Sequence, residues 1–292
     1  MKFAFIEKYR EEFLVHVMCR VLEVSKSGFY SWQKQSQKSN AKAQQRYKIA
    51  RTIEDIHRSS RKSYGSPRVF KQLKALGFKI SKTSVERIMR EENIFAKSKK
   101  KFRVTTDSKH NYPIACNLLN RNFSQTTAPN QIWLTDITYL ATQEGWLYLA
   151  AVMDLHTRKI VGWSIKPRME KDLVIDALEM AVKRENPKPG LMHHSDRGSQ
   201  YASHAYQQRL WCYGMTCSMS RKGNCWDNSP MESFFKTLKV EHVYHEIFAT
   251  KDQARTSIFE WIEVFYNRQR IHSSLGYKSP VEFERETMLK AA

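Results

Sequence analysis

From Gln131 to Ile165 the chain runs through three apolar stretches rich in aromatic and β-branched residues, separated only by short turn signals, and few folds accommodate that pattern. Gln131-Ile-Trp-Leu-Thr-Asp-Ile-Thr-Tyr-Leu140 predicts a buried strand, Gln143-Glu-Gly145 a turn, Trp146 to Leu155 a second strand and Lys159 to Ile165 a third. Short connections make neighbouring strands antiparallel, so the expected unit is a three-strand meander. A helix follows from about Asp172 to Arg184, with Leu173, Val174, Ala177, Leu178 and Ala181 on its inner side, until Pro187 to Gly190 breaks it. Leu191-Met-His-His-Ser-Asp196 predicts a fourth strand, residues 203–213 a helix, Met215 to Met219 a short strand, Ser220 to Ser229 a polar loop and residues 230–240 a further helix. A meander followed by interleaved strands and helices describes an α/β fold with a mixed sheet over about residues 126–240.

Three acids stand at the edges of these elements. Asp136 interrupts an otherwise apolar strand, where a buried carboxylate must be paired, protonated or bound to metal; the pattern leaves open that it lies on a solvent face. Asp196 ends a strand in Ser195-Asp-Arg-Gly-Ser-Gln-Tyr201, where loops carry function, or else it simply forms the turn before Gly198. Glu232 follows Asn228-Ser-Pro230, a helix start, and either serves chemistry or complements the helix dipole. On that helix Glu232, Lys236 and Lys239 fall at i, i+4 and i+7, on one face, while Met231, Phe234, Phe235 and Leu238 can face a core. Three carboxylates beside lysines suit phosphodiester chemistry. Hard oxygen donors hold Mg²⁺, and two Mg²⁺ ions, or Mn²⁺ in their place, stabilise both the attacking and the leaving oxygen of an in-line displacement without a covalent protein nucleophile.

The rest of the chain is consistent with a polyanionic partner. Lys and Arg outnumber Asp and Glu by 49 to 29, for a formal net charge of +20, which points to double-stranded DNA or another nucleic acid. Residues 1–100 predict short helices with two helix-turn-helix units. In the first, an apolar patch at Val17 to Leu22 precedes a short helix capped by Ser25 and carrying Lys26, Phe29, Tyr30 and Trp32; in the second, a helix from Ser66-Pro67 ends at Gly77 and another starts at Ser81. Lys82, Thr83 and Arg87 face outward on that last helix, where a recognition helix meets DNA. A basic linker is expected over residues 101–125, following Lys97-Ser-Lys-Lys-Lys101, and a helical extension over 241–292.

The N-terminal ten residues have no sustained apolar core and the longest apolar run, Trp146 to Met153, is too short to span a membrane, so a cytoplasmic protein is expected. Cys19, Cys116, Cys212, Cys217 and Cys225 lack paired spacing, which argues for reduced thiols. His193, His194, Cys212 and Cys217 match no common zinc spacing, and the histidines read better as strand residues.

Several long motifs, in order, resemble the transposases of insertion-sequence family three, whose catalytic half looks like retroviral integrase: Trp133-Leu-Thr-Asp-Ile-Thr-Tyr139, His194-Ser-Asp-Arg-Gly-Ser-Gln-Tyr201, Gly223-Asn-Cys-Trp-Asp-Asn-Ser-Pro-Met-Glu-Ser-Phe-Phe235, and Tyr266-Asn-Arg-Gln-Arg-Ile-His-Ser-Ser-Leu-Gly-Tyr277 followed by Ser279-Pro280. The resemblance implies a ribonuclease-H-like core preceded by a small all-α helix-turn-helix region, with Asp136, Asp196 and Glu232 as catalytic, metal-binding residues. It implies that Lys239 contacts the DNA end, that an upstream reading frame supplies a partner protein or a fusion, and that more than one copy acts on the two DNA ends. Arg268 and Arg270 in the last motif are DNA-contact candidates or ties between the last helix and the core. The expected activity is strand cleavage at the element ends and 3′-hydroxyl strand transfer. A nuclease without strand transfer and a catalytically silent DNA-binding regulator are the alternatives.

Overall fold

A computed structural model describes residues 1–97 and 112–291. They form two compact units, one of Met1–Ser59 with Tyr64–Phe95, the other of Ser60–Ser63 with Ala96–Ala292. Residues 101–111 of the basic stretch expected as a linker lie outside the described residues, and residues 112–125 contain no helix or strand.

The first unit is all-helical: α1 (Lys2–Lys8), α2 (Val15–Val21), α3 (Lys26–Ser59), α4 (Ser66–Ala75) and α5 (Lys82–Glu91). Only short helices were expected, but α3 is 34 residues long. Its middle, Gln33 to Arg46, is rich in Gln, Lys and Ala, which favour a helix by propensity while offering no apolar period to announce one. Two helix-turn-helix units are present. Phe29 of α3 packs with Ile6, Met18 and Cys19 at one end, and α4 and α5 bury Val69, Leu73, Val85, Ile88 and Met89 at the other. Ser81 caps α5 by accepting the Ser84 N–H at 3.1 Å.

The second unit is built on a five-stranded sheet in the order β3-β2-β1-β4-β5. β1 (Ile132–Thr142), β2 (Gly145–Asp154) and β3 (Ile160–Lys166) are the expected antiparallel meander, and β4 (Met192–Ser195) and β5 (Thr216–Met219) add in parallel beside β1. The first hairpin turns at Gly145, whose φ of +103° a side chain would strain. One face of the sheet is covered by α6 (Lys171–Glu185), α7 (Ser199–Ala202) and α8 (His204–Cys212). The other is covered by α9 (Ser229–Glu241), α10 (Lys251–Glu260) and the π-helical turn Trp261–Tyr266, before the chain ends in α11 (Pro280–Ala291). The C-terminal stretch expected as an extension is thus helical, and its Ile258, Trp261, Ile262 and Phe265 share the core of α9 and the sheet. Among the described residues no helix is long and apolar enough to cross a membrane.

The contact between β3 and α6 is close enough to demand glycine. A Cβ on Gly162 would lie 2.2 Å from the Ala177 carbonyl oxygen and 2.7 Å from the Ala181 nitrogen, both backbone atoms of α6. Gly162→Ala is therefore expected to destabilise the fold by about 1–3 kcal/mol through overpacking; a urea midpoint equal to that of the wild type would contradict this packing.

Candidate active site

Asp136 and Asp196 are brought side by side by strand pairing. Parallel registration matches Ile132 with Met192, Trp133 with His193 and Leu134 with His194. Continuing both chains by two residues brings Asp136 level with Asp196, which directly follows the last residue of β4. The face of β1 left open by the sequence follows from the period of two. Ile132, Leu134 and Leu140 pack in the core that holds Met231, Phe234, Phe235 and Leu238 of α9, so Asp136 lies on the α9 face. Each aspartate is steadied by a local bond: Asp136 Oδ1 accepts the Ile137 N–H at 2.8 Å and Asp196 Oδ1 the Gly198 N–H at 2.8 Å. Burial, and next the charge of Asp196, push the Asp136 carboxyl well above the usual carboxylate range; Glu232 adds to the push and Lys239 opposes it.

Glu232 enters from the first turn of α9, and its side chain is exposed. What aims α9 is Asn228, whose Nδ2 donates to the Thr135 carbonyl at 2.9 Å, one residue before Asp136. Thr135 is held in turn: its hydroxyl bonds the Ala151 carbonyl at 2.9 Å and lies 3.2 Å from the Tyr201 hydroxyl. Asp227, the residue before Asn228, is the anchor of the loop. Its buried carboxylate accepts bonds from the Arg221 backbone and side chain at 2.7–2.9 Å, from Arg121 Nε at 2.7 Å and from Asn117 Nδ2 at 2.9 Å. Those donors, Arg221 first, hold it far below the normal carboxylate range. Neither Asn228 nor Asp227 was assigned a positioning role from the sequence, because their partners Thr135, Arg121 and Asn117 are remote in the chain.

The candidate cations divide into groups. Lys239 lies over the Tyr139 ring, 4.1 Å from its centroid, and burial lowers its pKa while Asp136 raises it, so it belongs to the acid cluster. Lys236 is exposed on the same helix, and Arg268 is exposed near the C-terminal turn. Lys82 and Arg87 are exposed on α5, in loose pairs with Glu86 at 3.7 Å and Glu91 at 4.0 Å, a kind that contributes little. Of the two expectations for Arg270, a DNA contact or a tie to the core, the geometry is that of the tie: it is buried, and its guanidinium donates to both oxygens of Glu241 at 2.6 and 2.8 Å. The bidentate geometry makes it a fastener between the C-terminal segment and α9.

The histidines are strand residues, as expected. His193 Nε2 meets the Tyr206 hydroxyl at 3.0 Å, and His194 bridges the Ser218 and Ser220 hydroxyls at 2.9 and 3.1 Å. Burial lowers His193 to about 3 and His194 to about 4. Among the described residues no three His, Cys, Asp or Glu side chains stand arranged to hold a metal ion. The two aspartates and Glu232 are nevertheless linked by charge, and their donor set is oxygen only, which fits a hard divalent cation.

Two outcomes follow for solution experiments. Arg270→Ala leaves Glu241 without its partner in a mostly buried position and should cost about 3–5 kcal/mol in urea unfolding, with DNA affinity of the folded protein unchanged; the reverse pattern would assign Arg270 to DNA. His194 takes up a proton in the unfolded chain near pH 6.5 but in the fold only near pH 4. Stability is therefore lost as pH falls through that window and is fully present above it. Relative to His194→Asn, the wild-type melting temperature should drop between pH 6.5 and 4, and parallel curves would refute the assignment.

Residues 126–225 match the family model described as integrase core domain, residues 213–280 match a second model of that description, and residues 44–102 match an HTH-like domain. The chain is 46% identical over 275 residues to the insertion element IS600 uncharacterized 31 kDa protein of Shigella sonnei, covering 94% of this chain and all of that protein. It is 41% identical over 288 residues to the transposase InsF for insertion sequence IS3A of Escherichia coli (strain K12), covering 99% of this chain and all of that protein. A structure of the HTLV-2 integrase catalytic core domain in complex with magnesium aligns at 15% identity and a TM-score of 0.41, over 54% of this chain and 97% of that one. By its 41–46% identity to these relatives over nearly its full length, and with the two integrase core models together covering residues 126–280, the chain belongs to the insertion-sequence transposase family of IS3.

Proposed function

We propose that this transposase binds the ends of its own insertion element as double-stranded DNA, cleaves a strand there, and joins the freed 3′-hydroxyl to target DNA. The observation that carries the reading is the acid cluster: Asp136 on β1, Asp196 just past the end of the adjacent parallel strand β4, and Glu232 and Lys239 both within reach of Asp136 by charge. Asp136, Asp196 and Glu232 are the residues to hold Mg²⁺ or Mn²⁺. Two such ions, when bound, neutralise the phosphodiester and activate the attacking hydroxyl. Asp136 and Asp196, steadied by backbone N–H groups, supply a rigid pair of oxygens, and the exposed Glu232 has the rotamer freedom to complete the set. Asn228 keeps α9 in register with β1, so it acts as a positioning residue for Glu232. Lys239 and Lys236 face the same side of α9 as Glu232, which suits them to the DNA end, with Lys82, Arg87 and Arg268 on further DNA-contact surfaces.

The net charge of +20 supports a cytoplasmic, nucleoid-associated life on DNA. Two element ends must be held together for joining, so several copies act together, with the product of an upstream reading frame as a partner or fusion. The experiment uses a plasmid carrying the element ends with Mg²⁺ or Mn²⁺. Nicked and joined products are expected with wild type and none with Glu232→Gln, while end binding stays nearly unchanged and weakens steeply with salt. Loss of binding along with chemistry, or cutting that survives Glu232→Gln, would sink this reading; cutting without joining would reduce it to a nuclease.

A further inference from the structure

Between Lys26 and Lys48, α3 carries Lys26, Lys34, Lys38, Lys42, Arg46 and Lys48 and no acidic residue. Lys34, Lys38, Lys42 and Arg46 recur four apart and so line one ridge, all exposed, and among the described residues Arg46 alone of the four is paired to acids, Glu91 at 2.5 Å and Glu92 at 3.8 Å. Like charges at this spacing oppose the helix, and no buried side chain lies between Trp32 and Lys48 among those described to offset them. A polyanion laid along the ridge removes that penalty.

The ridge begins in a helix-turn-helix unit that the HTH-like family model, residues 44–102, does not include. After α2 the Val24 N–H returns to the Cys19 carbonyl at 3.0 Å, Glu23 turns the chain at φ +52°, and Ser25 Oγ accepts the Gly28 N–H at 3.0 Å at the start of α3. The same device joins α4 to α5: the Phe78 N–H returns to the Leu73 carbonyl at 3.0 Å, Gly77 turns at φ +84°, and Ser81 caps the next helix. Ser27, Tyr30 and Lys34 are exposed on the opening turns of α3, the place from which the second helix of such a unit reads base edges. The core of this first unit is centred on Phe29, and α3 enters the other core through Ile49 and Ile53. The helical rise sets Phe29 about 30 Å from Ile49 and about 36 Å from Ile53, and one turn of B-DNA is about 34–36 Å.

We propose that residues 2–34 are a second duplex-reading unit, and that α3 is a basic ruler which lies along the phosphates and holds this unit about one duplex turn from the α4–α5 unit. The inference rests on the reading that the α4–α5 unit binds the element ends. Hydroxyl-radical footprinting of the full chain on a duplex carrying one element end, without divalent metal, tests it.

Wild type should protect two tracts about 10 base pairs apart. Tyr30→Ala with Lys34→Ala should erase one tract and weaken binding about tenfold, whereas Arg87→Ala should weaken the other. Lys38→Ala with Lys42→Ala should lower the slope of log affinity against log salt by about two. Seven helix-forming residues inserted after Asn40 add about 10 Å and nearly two whole turns, so the tracts should separate by about three further base pairs. All these positions are exposed, and unchanged helical circular dichroism checks the fold. A single tract that is lost with Arg87→Ala but indifferent to the α3 variants overturns the ruler and leaves the transposase reading intact. No protected tract at all overturns both.

Discussion

A carboxylate on β1 and another just past the end of its parallel neighbour β4 repel one another, and the second unit is organised around tolerating that repulsion. The pairing of β4 with β1 decides it: once Leu134 is level with His194, Asp136 and Asp196 have nowhere else to be. The cost appears in the raised pKa of Asp136, which the charge of Lys239 opposes. A carboxylate perturbed in this way by burial and a like charge is a common trait of functional sites.

Support for the site comes from neutral or fully paired groups rather than from further charge. Asn228 ties α9 to the backbone of β1, Thr135 ties β1 to β2 and Tyr201, and Asp227 gathers two arginines and an asparagine from distant parts of the chain. The C-terminal motif plays a similar part on the far side of the core. Asn267 both donates to and accepts from the backbone of Ile160 at the start of β3, at 3.0 and 2.9 Å, Tyr266 bonds the Arg158 carbonyl, and Arg270 clasps Glu241. A segment read as either DNA contact or a tie to the core is largely the tie, with Arg268 left on its outside.

Much of this was legible in the sequence. The meander, β4, β5 and helices α6, α8 and α9 lie within one to three residues of their expected limits, because each buries one face and so leaves a period of two or of 3.6 in the chain. The family resemblance was carried by motifs that turn out to hold the acids, the α9 anchor and the C-terminal clasp. The length of α3 was not legible, since an exposed helix held by propensity writes no apolar period. The sequence left Arg270 open between DNA contact and a tie to the core, because burial of an arginine depends on a partner, Glu241, contributed by another element.

By itself, then, the sequence determined the alternation of elements, the basic character of the protein and the three acids at element edges, all of which are local properties of side-chain pattern and charge. Tertiary structure alone decided which face Asp136 occupies, that Asp196 stands next to it, which of the cations join the acid cluster and which are tied within the fold. Those outcomes depend on strand register and on contacts between residues far apart in the chain, and a register is selected by the packing of whole faces against one another rather than by any single stretch of residues.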